Sequence, residues 1–214
     1  MNGKEILLTT LRGGEASRTP WVPFTGVHAA SLLGMDAQSY LQDSNAIIRG
    51  IETARKAYQA DGIPVVFDLQ IEAEILGCAL SWARDAPPSV TSHPLSDAEG
   101  GGLGDLPEFR TDAGRFPVVL EAVRGLKESI GAECALYGLV CGPFTLALHL
   151  RGEDIFLDMF DEEDEVEALL AYCAGVCEQA AEAYLSAGAD VIAVVDPMVS
   201  QISADHFTQF VATP

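Results

Sequence analysis

Three short apolar runs along the chain each end at a residue whose side chain could take part in chemistry. The runs cover residues 64–67, 134–140 and 191–195, and the residues that follow them are Asp68, Cys141 and Asp196. Short continuous runs rich in β-branched side chains are typical of strands that are buried on both faces of a parallel sheet. In barrels built from such strands the active site lies at the carboxyl ends of the strands. We therefore expect the functional groups at these three run ends.

Apolar residues with helical spacing fill the segments between the runs. This spacing predicts helices over residues 2–11, 36–60, 72–77, 116–130, 162–187 and 205–211. A shorter apolar run at residues 21–24 predicts a first strand, so that four strands alternate with helices. The alternation predicts right-handed βαβ units around a parallel sheet, in a single domain that covers residues 1–214. Residues 84–108 are rich in Pro, Gly, Ser and Asp, and predict a long loop.

Composition and charge narrow the classes of partner. Hydrophobic residues make up 49% of the chain, and no apolar run approaches the roughly 18 residues that a membrane-spanning helix needs. The first residues lack the basic and then apolar pattern of a signal peptide, so we expect a cytoplasmic protein. The net charge is −20, and no Lys or Arg follows Arg151. Nucleic acid and anionic membrane are therefore disfavoured as partners.

The five cysteines do not predict a disulfide framework, because their number is odd and the chain looks cytosolic. Cys173 and Cys177 would share one helical face, where small core residues are more common than metal ligands. The sequence contains no H-E-x-x-H motif, no C-x-x-C motif and no glycine-rich phosphate loop.

Asp68 and Asp196 are the first candidates for chemistry, because each directly follows a predicted strand. Carboxylates at strand ends can bind substrate, stabilise a developing cation or act in acid–base catalysis. Each can equally cap the helix that follows through backbone N–H groups. The sequence leaves both roles open.

The turn Gly142-Pro143-Phe144-Thr145 provides a second group of candidates. Pro143 suits the first turn of a helix, and a helix N-terminus favours anions, so a ligand carboxylate could bind there. His149 follows Thr145 by one helical turn and would share its face. The alternative is that His149 has a purely structural role.

Taken in order, these motifs resemble the uroporphyrinogen decarboxylase superfamily. The resemblance depends on Phe67-Asp68 with Leu76-Gly77, on residues 142–146, and on residues 187–192 leading to Asp196. It implies a (β/α)8 TIM barrel longer than this chain. The chain would then contain about the first four β/α units of the barrel, with an N-terminal helical extension. The exposed sheet edges of such a part would favour self-association, so a homo-oligomer is expected.

The decarboxylase branch of this superfamily removes acetate carboxylates from a tetrapyrrole without a cofactor. The resemblance implies that Asp68 would be the central polar group of the substrate pocket. The arginine-rich element that binds substrate carboxylates in that branch is missing here, since residues 19–29 contain no arginine. Each charged hydrogen bond to a carboxylate contributes roughly 1.5–3 kcal/mol, so binding of a substrate with many carboxylates is disfavoured.

The second branch resembles corrinoid-dependent methyltransferases and often carries the pattern D-x-x-x-E-A-E-x-x-G, present here at residues 68–77. The resemblance implies methyl transfer between a corrinoid, either methylcobalamin or a corrinoid protein, and a thiol. The zinc ligands of that branch are a His-x-Cys pair and a later Cys in the second half of the barrel. This chain has no His-x-Cys, so we expect no zinc site within it.

The leading hypothesis is therefore a methyltransferase in which Asp68 is catalytic. Four further residues would bind substrate, namely Phe144, Thr145, His149 and Asp196. The alternatives are a uroporphyrinogen decarboxylase, and an inactive or ligand-binding barrel fragment.

Overall fold

A computed structural model describes residues 1–96 and 100–212. Residues 97–99 of the predicted loop and residues 213–214 lie outside the described part of the chain. The strands are β1 (Gly62–Pro64), β2 (Leu80–Ser81), β3 (Ser89–Val90), β4 (Ala135–Cys141) and β5 (Val191–Val195). The helices are α1 (Gly3–Leu11), α2 (His28–Leu32), α3 (Ala37–Leu41), α4 (Ser44–Tyr58), α5 (Ile71–Ile75), α6 (Phe116–Ser129), α7 (Pro143–Arg151), α8 (Ile155–Asp161), α9 (Glu163–Ala187) and α10 (Ala204–His206). A π-helical turn, Phe207–Val211, follows α10.

Strands at or beside the three predicted runs form one parallel sheet in the order β1-β4-β5. The first strand ends earlier than predicted, because β1 overlaps the run at residues 64–67 only at Pro64. Ile63 lies opposite Leu136, and Gly138 lies opposite Ile192. The parallel sheet with intervening helices confirms the predicted α/β class. Because all three strands run in one direction, their carboxyl ends lie at the same edge of the sheet, where the functional groups were expected.

The predicted first strand at residues 21–24 is wrong. Its proline, Pro23, has no N–H to donate to a sheet ladder, and Pro20 precedes the segment. The segment is instead tied to Asp61, whose backbone N–H donates to the carbonyl of Trp21 at 2.9 Å. The described residues therefore contribute three strands to the parallel sheet where four were predicted.

The predicted helix over residues 36–60 is divided into α3 and α4. Asp36 accepts a hydrogen bond from the N–H of Ser39 and begins α3, and Asp43 accepts from the N–H groups of Asn45 and Ala46 and begins α4. A capping carboxylate satisfies N–H groups that would otherwise lack a partner, so each aspartate starts a helix of its own.

The loop predicted at residues 84–108 contains a little regular structure. The short antiparallel pair of β2 and β3 closes its first part, and a 3₁₀ turn, Leu103–Asp105, lies in its second part. Three residues of its first part line the cleft described below, namely Ser89, Val90 and His93.

The core lies on both faces of β4, which is buried along its whole length. On one face Gly138 lies against Tyr184 of α9, and a side chain at position 138 would collide with that ring. On the other face Ala135 and Tyr137 pack with Leu7 of α1. Complete burial of a large apolar side chain contributes about 1.5–3 kcal/mol, so this central strand anchors the sheet. Within residues 1–96 and 100–212, no helix is both long and apolar enough to cross a membrane.

Candidate functional site

Asp68 follows the buried residues Val65 and Val66 and has a fully buried side chain. Arg115, at the start of α6, donates from Nη1 to Asp68 Oδ2 at 2.5 Å. The backbone N–H of Gln70 donates to Asp68 Oδ1 at 3.0 Å. Both carboxylate oxygens are therefore occupied, and Asp68 connects the end of the β1 segment to α6.

Arg115 holds two carboxylates together. Its Nε donates to Glu74 Oε2 at 2.7 Å, and its guanidinium carbon lies 4.9 Å from the centre of the Trp82 ring. A buried charge is tolerated when it is paired and hydrogen-bonded in this way. The sequence did not single out Arg115, because it lies 47 positions from Asp68 and outside any recognisable motif.

Glu72 is a second buried acid at the same edge of the sheet. Its Oε1 accepts a hydrogen bond from the backbone N–H of Cys141 at 3.3 Å, whereas its Oε2 has no partner among the described residues. The pKa of Glu72 is raised to about 7, mainly because the carboxyl group is buried; the hydrogen bond from the Cys141 N–H opposes the shift, Asp68 adds to it and Arg115 opposes it. Glu72 can therefore gain or lose a proton near neutral pH. The available signal was the E-A-E pattern, in which an acid stands between the buried residues Ile71 and Ala73.

Asp196 caps helix α7 from the end of β5. Its Oδ2 accepts from the N–H of Phe144 at 3.0 Å, and its Oδ1 accepts from the N–H and the hydroxyl of Thr145 at 2.8 and 2.5 Å. A Cβ at Gly142 would collide with Asp196, so glycine allows this close approach. The prediction that this helix N-terminus binds a ligand carboxylate is wrong, because Asp196 already occupies the N–H groups.

Phe144 and Thr145 are buried, with 0% and 2% of their surfaces exposed. The Phe144 ring lies 6.3 Å from the ring of Phe156 and belongs to the core between α7 and α8. The Thr145 hydroxyl also accepts from the N–H of Met198 at 3.2 Å, which ties α7 to the turn after β5. Neither residue is among those that line the cleft beside α7, so both act here as structural supports of the helix.

His149 lines an open cleft of about 450 Å³ beside α7. The lining also includes Gln70, Val90, His93, Phe156 and Met198. His149 Nε2 is buried without a hydrogen-bond partner in the described part of the chain, and so is Gln70 Oε1. Burial lowers the pKa of His149 to about 4, with a smaller contribution from His93. The imidazole is therefore neutral near pH 7.

Two side chains contact the backbone carbonyl of His149 and fix the position of this residue. Its carbonyl accepts from Cys78 Sγ at 3.3 Å and from His93 Nδ1 at 2.9 Å. Carbonyls in the last turn of a helix have no partner within the helix, and these two side chains provide one. Gly152 follows with φ +75°, and a Cβ there would meet the His93 ring.

Comparison with known proteins identifies the family of this chain. The model of the family described as uroporphyrinogen decarboxylase (URO-D) matches residues 2–214. The chain belongs to the URO-D family. The resemblance inferred from the residues around Asp68, Gly142 and Asp196 is thereby confirmed.

Within the URO-D family the methyltransferase branch is well represented among the relatives. The methylcobamide:CoM methyltransferase MtbA of Methanosarcina mazei is 32% identical over 99% of this chain and 63% of its own length. The methylcobamide:CoM methyltransferase MtaA of Methanosarcina barkeri is 28% identical over 97% of this chain and 62% of its own. A uroporphyrinogen decarboxylase of Koribacter versatilis is 26% identical over 74% of this chain.

A solved structure agrees with these relatives. The structure of a methyltransferase from Methanosarcina mazei matches with a TM-score of 0.89 and 26% identity, over 99% of this chain and 64% of that one. The chain thus spans about 63% of the length of the curated methyltransferases it matches.

The cysteines of this URO-D chain are buried thiols. Cys177 Sγ donates to the carbonyl of Cys141 at 2.9 Å, and burial raises the pKa of Cys177 to about 12. Across residues 1–96 and 100–212, no three His, Cys, Asp or Glu side chains lie close enough together to hold a metal ion. These residues therefore do not fit a zinc ion.

Proposed function

We propose that the protein containing this chain transfers a methyl group between a corrinoid and a thiol. The supporting observation is the similarity to two methylcobamide:CoM methyltransferases over 97–99% of the chain. Because the chain covers about 63% of the first of these relatives, the proposal concerns the activity of a protein that includes further sequence. The corrinoid could be free methylcobalamin or could be carried by a corrinoid protein.

The charges at the site favour a corrinoid over a porphyrinogen with many carboxylates. Arg115 is paired through Nη1 with Asp68 and through Nε with Glu74, and its Nη2 is buried without a partner among the described residues. The residues that line the cleft include no Lys or Arg. A ligand with several carboxylates would gain little charged hydrogen bonding there, in a chain whose net charge is −20.

We assign positioning roles to most of the predicted site residues. Asp68 would act through Arg115, because its carboxylate has no exposed surface. Asp196 and Thr145 would hold the start of α7 in place, and His149 would contact the ligand from the cleft. Glu72 would provide a carboxyl group that exchanges a proton near neutral pH.

Any zinc ion would need ligands from outside the described residues. A zinc-bound thiol loses its proton and becomes a stronger nucleophile, which is the chemistry such an ion would supply. The described residues would shape the mouth of the site.

The test is a methyl-transfer assay on the full-length protein. Methylcobalamin is incubated with coenzyme M or other thiols, and the formation of cob(I)alamin is followed by its absorbance. A zinc chelator and omission of the thiol serve as controls. If no thiol yields cob(I)alamin, with the free cofactor or with a corrinoid protein, the proposal is wrong.

The uroporphyrinogen decarboxylase alternative is tested in parallel, since a protein of that name is 26% identical to this chain. Loss of carboxylates from uroporphyrinogen without any added cofactor would favour it. Corrinoid binding without turnover in either assay would favour a ligand-binding role.

A further inference from the structure

The cleft beside α7 contains two polar atoms that lack partners. Gln70 Oε1 and His149 Nε2 are each buried and have no hydrogen-bond partner among the described residues, and both side chains line the cleft. Buried polar atoms in folded proteins nearly always have a partner, which can be a ligand or an ordered water. Because both side chains line the same cleft, a ligand bound there is a candidate partner for each atom.

The lining of the cleft does not favour an anion. Val90, Phe156 and Met198 form apolar walls, and the acid Glu153 lies exposed at the rim. Asp68 acts electrostatically on His149, and His93 lies next to His149, with its Nδ1 2.9 Å from the His149 carbonyl. With the imidazole neutral and no Lys or Arg in the lining, a carboxylate ligand would lose its hydration without gaining a cation.

The two unpartnered atoms require different properties of a ligand. Gln70 Oε1 is an acceptor and needs an N–H or O–H donor. Neutral His149 has one ring nitrogen that donates and one that accepts, so its Nε2 can pair with either kind of group. A primary carboxamide carries both N–H donors and a carbonyl acceptor, whereas a carboxylate offers acceptors only.

We propose that this cleft binds a carboxamide side chain of the corrinoid, through Gln70 and His149. The inference rests on the proposed function, because it names how the corrinoid of that reaction is recognised. Corrinoids carry carboxamides around the ring edge, whereas porphyrinogens carry carboxylates. The cleft volume of about 450 Å³ leaves ample room for one such arm, and the macrocycle would lie at its opening. The cleft would thus select an amidated macrocycle over an acidic one.

The test measures binding alone, so it needs neither a thiol nor zinc. Equilibrium dialysis of the full-length protein compares hydroxocobalamin with its monocarboxylate isomers, in each of which one carboxamide has been hydrolysed. The variants are Gln70→Leu and His149→Phe, which remove the two polar atoms. The matched control is Gln38→Leu, which changes an exposed glutamine on α3 outside the cleft.

We expect one monocarboxylate isomer to bind about tenfold more weakly than hydroxocobalamin, while the others bind as hydroxocobalamin does. Gln70→Leu and His149→Phe should each raise the dissociation constant for hydroxocobalamin by about five- to tenfold, and Gln38→Leu should leave it unchanged. The variants should also no longer discriminate against that one isomer.

Equal binding of all isomers, or normal binding by both cleft variants, would overturn the inference and would indicate that ordered water fills the cleft. No binding of any corrinoid would also overturn it. Methyl transfer is measured separately, so a protein that binds the amidated corrinoid but transfers no methyl group would leave this inference standing while the proposed function fails.

Discussion

Asp68 shows what a single residue can and cannot reveal from its place in the sequence. Its position after an apolar run indicated an acid at a strand end, and Asp68 lies four residues beyond the end of β1. The run gave no sign that Arg115 would occupy one oxygen and the backbone of Gln70 the other. The burial and pairing of a charge depend on which distant segment arrives beside it, and that is a property of the folded chain.

Replacing Arg115 by methionine should destabilise the protein by about 3–5 kcal/mol, because it leaves the Asp68 charge buried and unpaired. Urea unfolding at pH 7 measures the free energy of unfolding. Asp68→Asn combined with Arg115→Met should recover part of the loss, since the buried charge is removed. Arg110→Met is the control; its pair with Asp112 is exposed, and we expect a change of at most about 1 kcal/mol. Equal losses in the free energy of unfolding for the two arginine variants would show that the buried pair contributes no more to stability than the exposed pair.

Glu72 should make stability depend on pH in a defined direction. Its pKa rises from 4.5 to about 7 on folding, so the folded protein binds more protons than the unfolded chain between these values. Its contribution is therefore fully present below pH 4.5 and is lost as the pH rises through 7, by on the order of 3 kcal/mol.

The measurement is the free energy of unfolding from pH 4.5 to 8 for the wild type and for Glu72→Gln, whose side chain does not titrate. The wild type should lose stability relative to the variant as the pH increases. Glu121→Gln, on the exposed face of α6, serves as the control. Parallel curves for the wild type and Glu72→Gln would contradict the raised pKa.

At the scale of elements, the N-terminus of helix α7 is capped by a residue 51 and 52 positions away in sequence from its two hydrogen-bond donors. Asp196 follows β5 and accepts three hydrogen bonds from Phe144 and Thr145, which a local cap would normally supply. The sequence predicted the helix and its Pro143 start, but it left the N-terminus open to a ligand carboxylate. The two parallel strands β4 and β5 bring these segments together, so the cap arises from their register.

Asp196→Ala should destabilise the protein by about 1–2 kcal/mol, because α7 loses its cap and two N–H groups lose their acceptor. Asp196→Asn keeps one acceptor oxygen and should lose less. Chemical denaturation measures both, with Asp205→Ala, an exposed acid in the first turn of α10, as a control expected within about 0.5 kcal/mol of wild type. If Asp196→Ala matches that control, the cap does not stabilise the helix.

At the scale of the whole molecule, the parallel sheet has an open edge. β5 is the last strand of the order β1-β4-β5, and Val194 on it is 59% exposed. An unpaired strand edge with an exposed apolar side chain favours pairing with another chain.

We therefore expect the 214-residue chain to self-associate, with an apparent mass in sedimentation velocity that increases with concentration. Val194→Lys should reduce this association, because a lysine on an edge strand opposes edge-to-edge pairing. Trp21→Lys, at an exposed aromatic residue outside the sheet, is the control and should associate like the wild type. A monodisperse monomer of the wild-type chain would contradict the prediction.

The α/β class, the approximate positions of three parallel strands and most helices follow from the sequence alone, because hydrophobic periodicity records which faces of each element are buried. The sequence also indicated the family, since Asp68, Gly142 and Asp196 occur in the right order and context. The remaining features of the fold and the site depend on the tertiary structure. It showed that residues 21–24 form no strand. It also showed that Asp196 accepts hydrogen bonds from the N–H groups at the start of α7, where a ligand carboxylate had been considered. It also gave Glu72 and His149 their shifted pKa values. Hydrogen-bond partners and desolvation depend on contacts between distant segments, which local pattern does not encode.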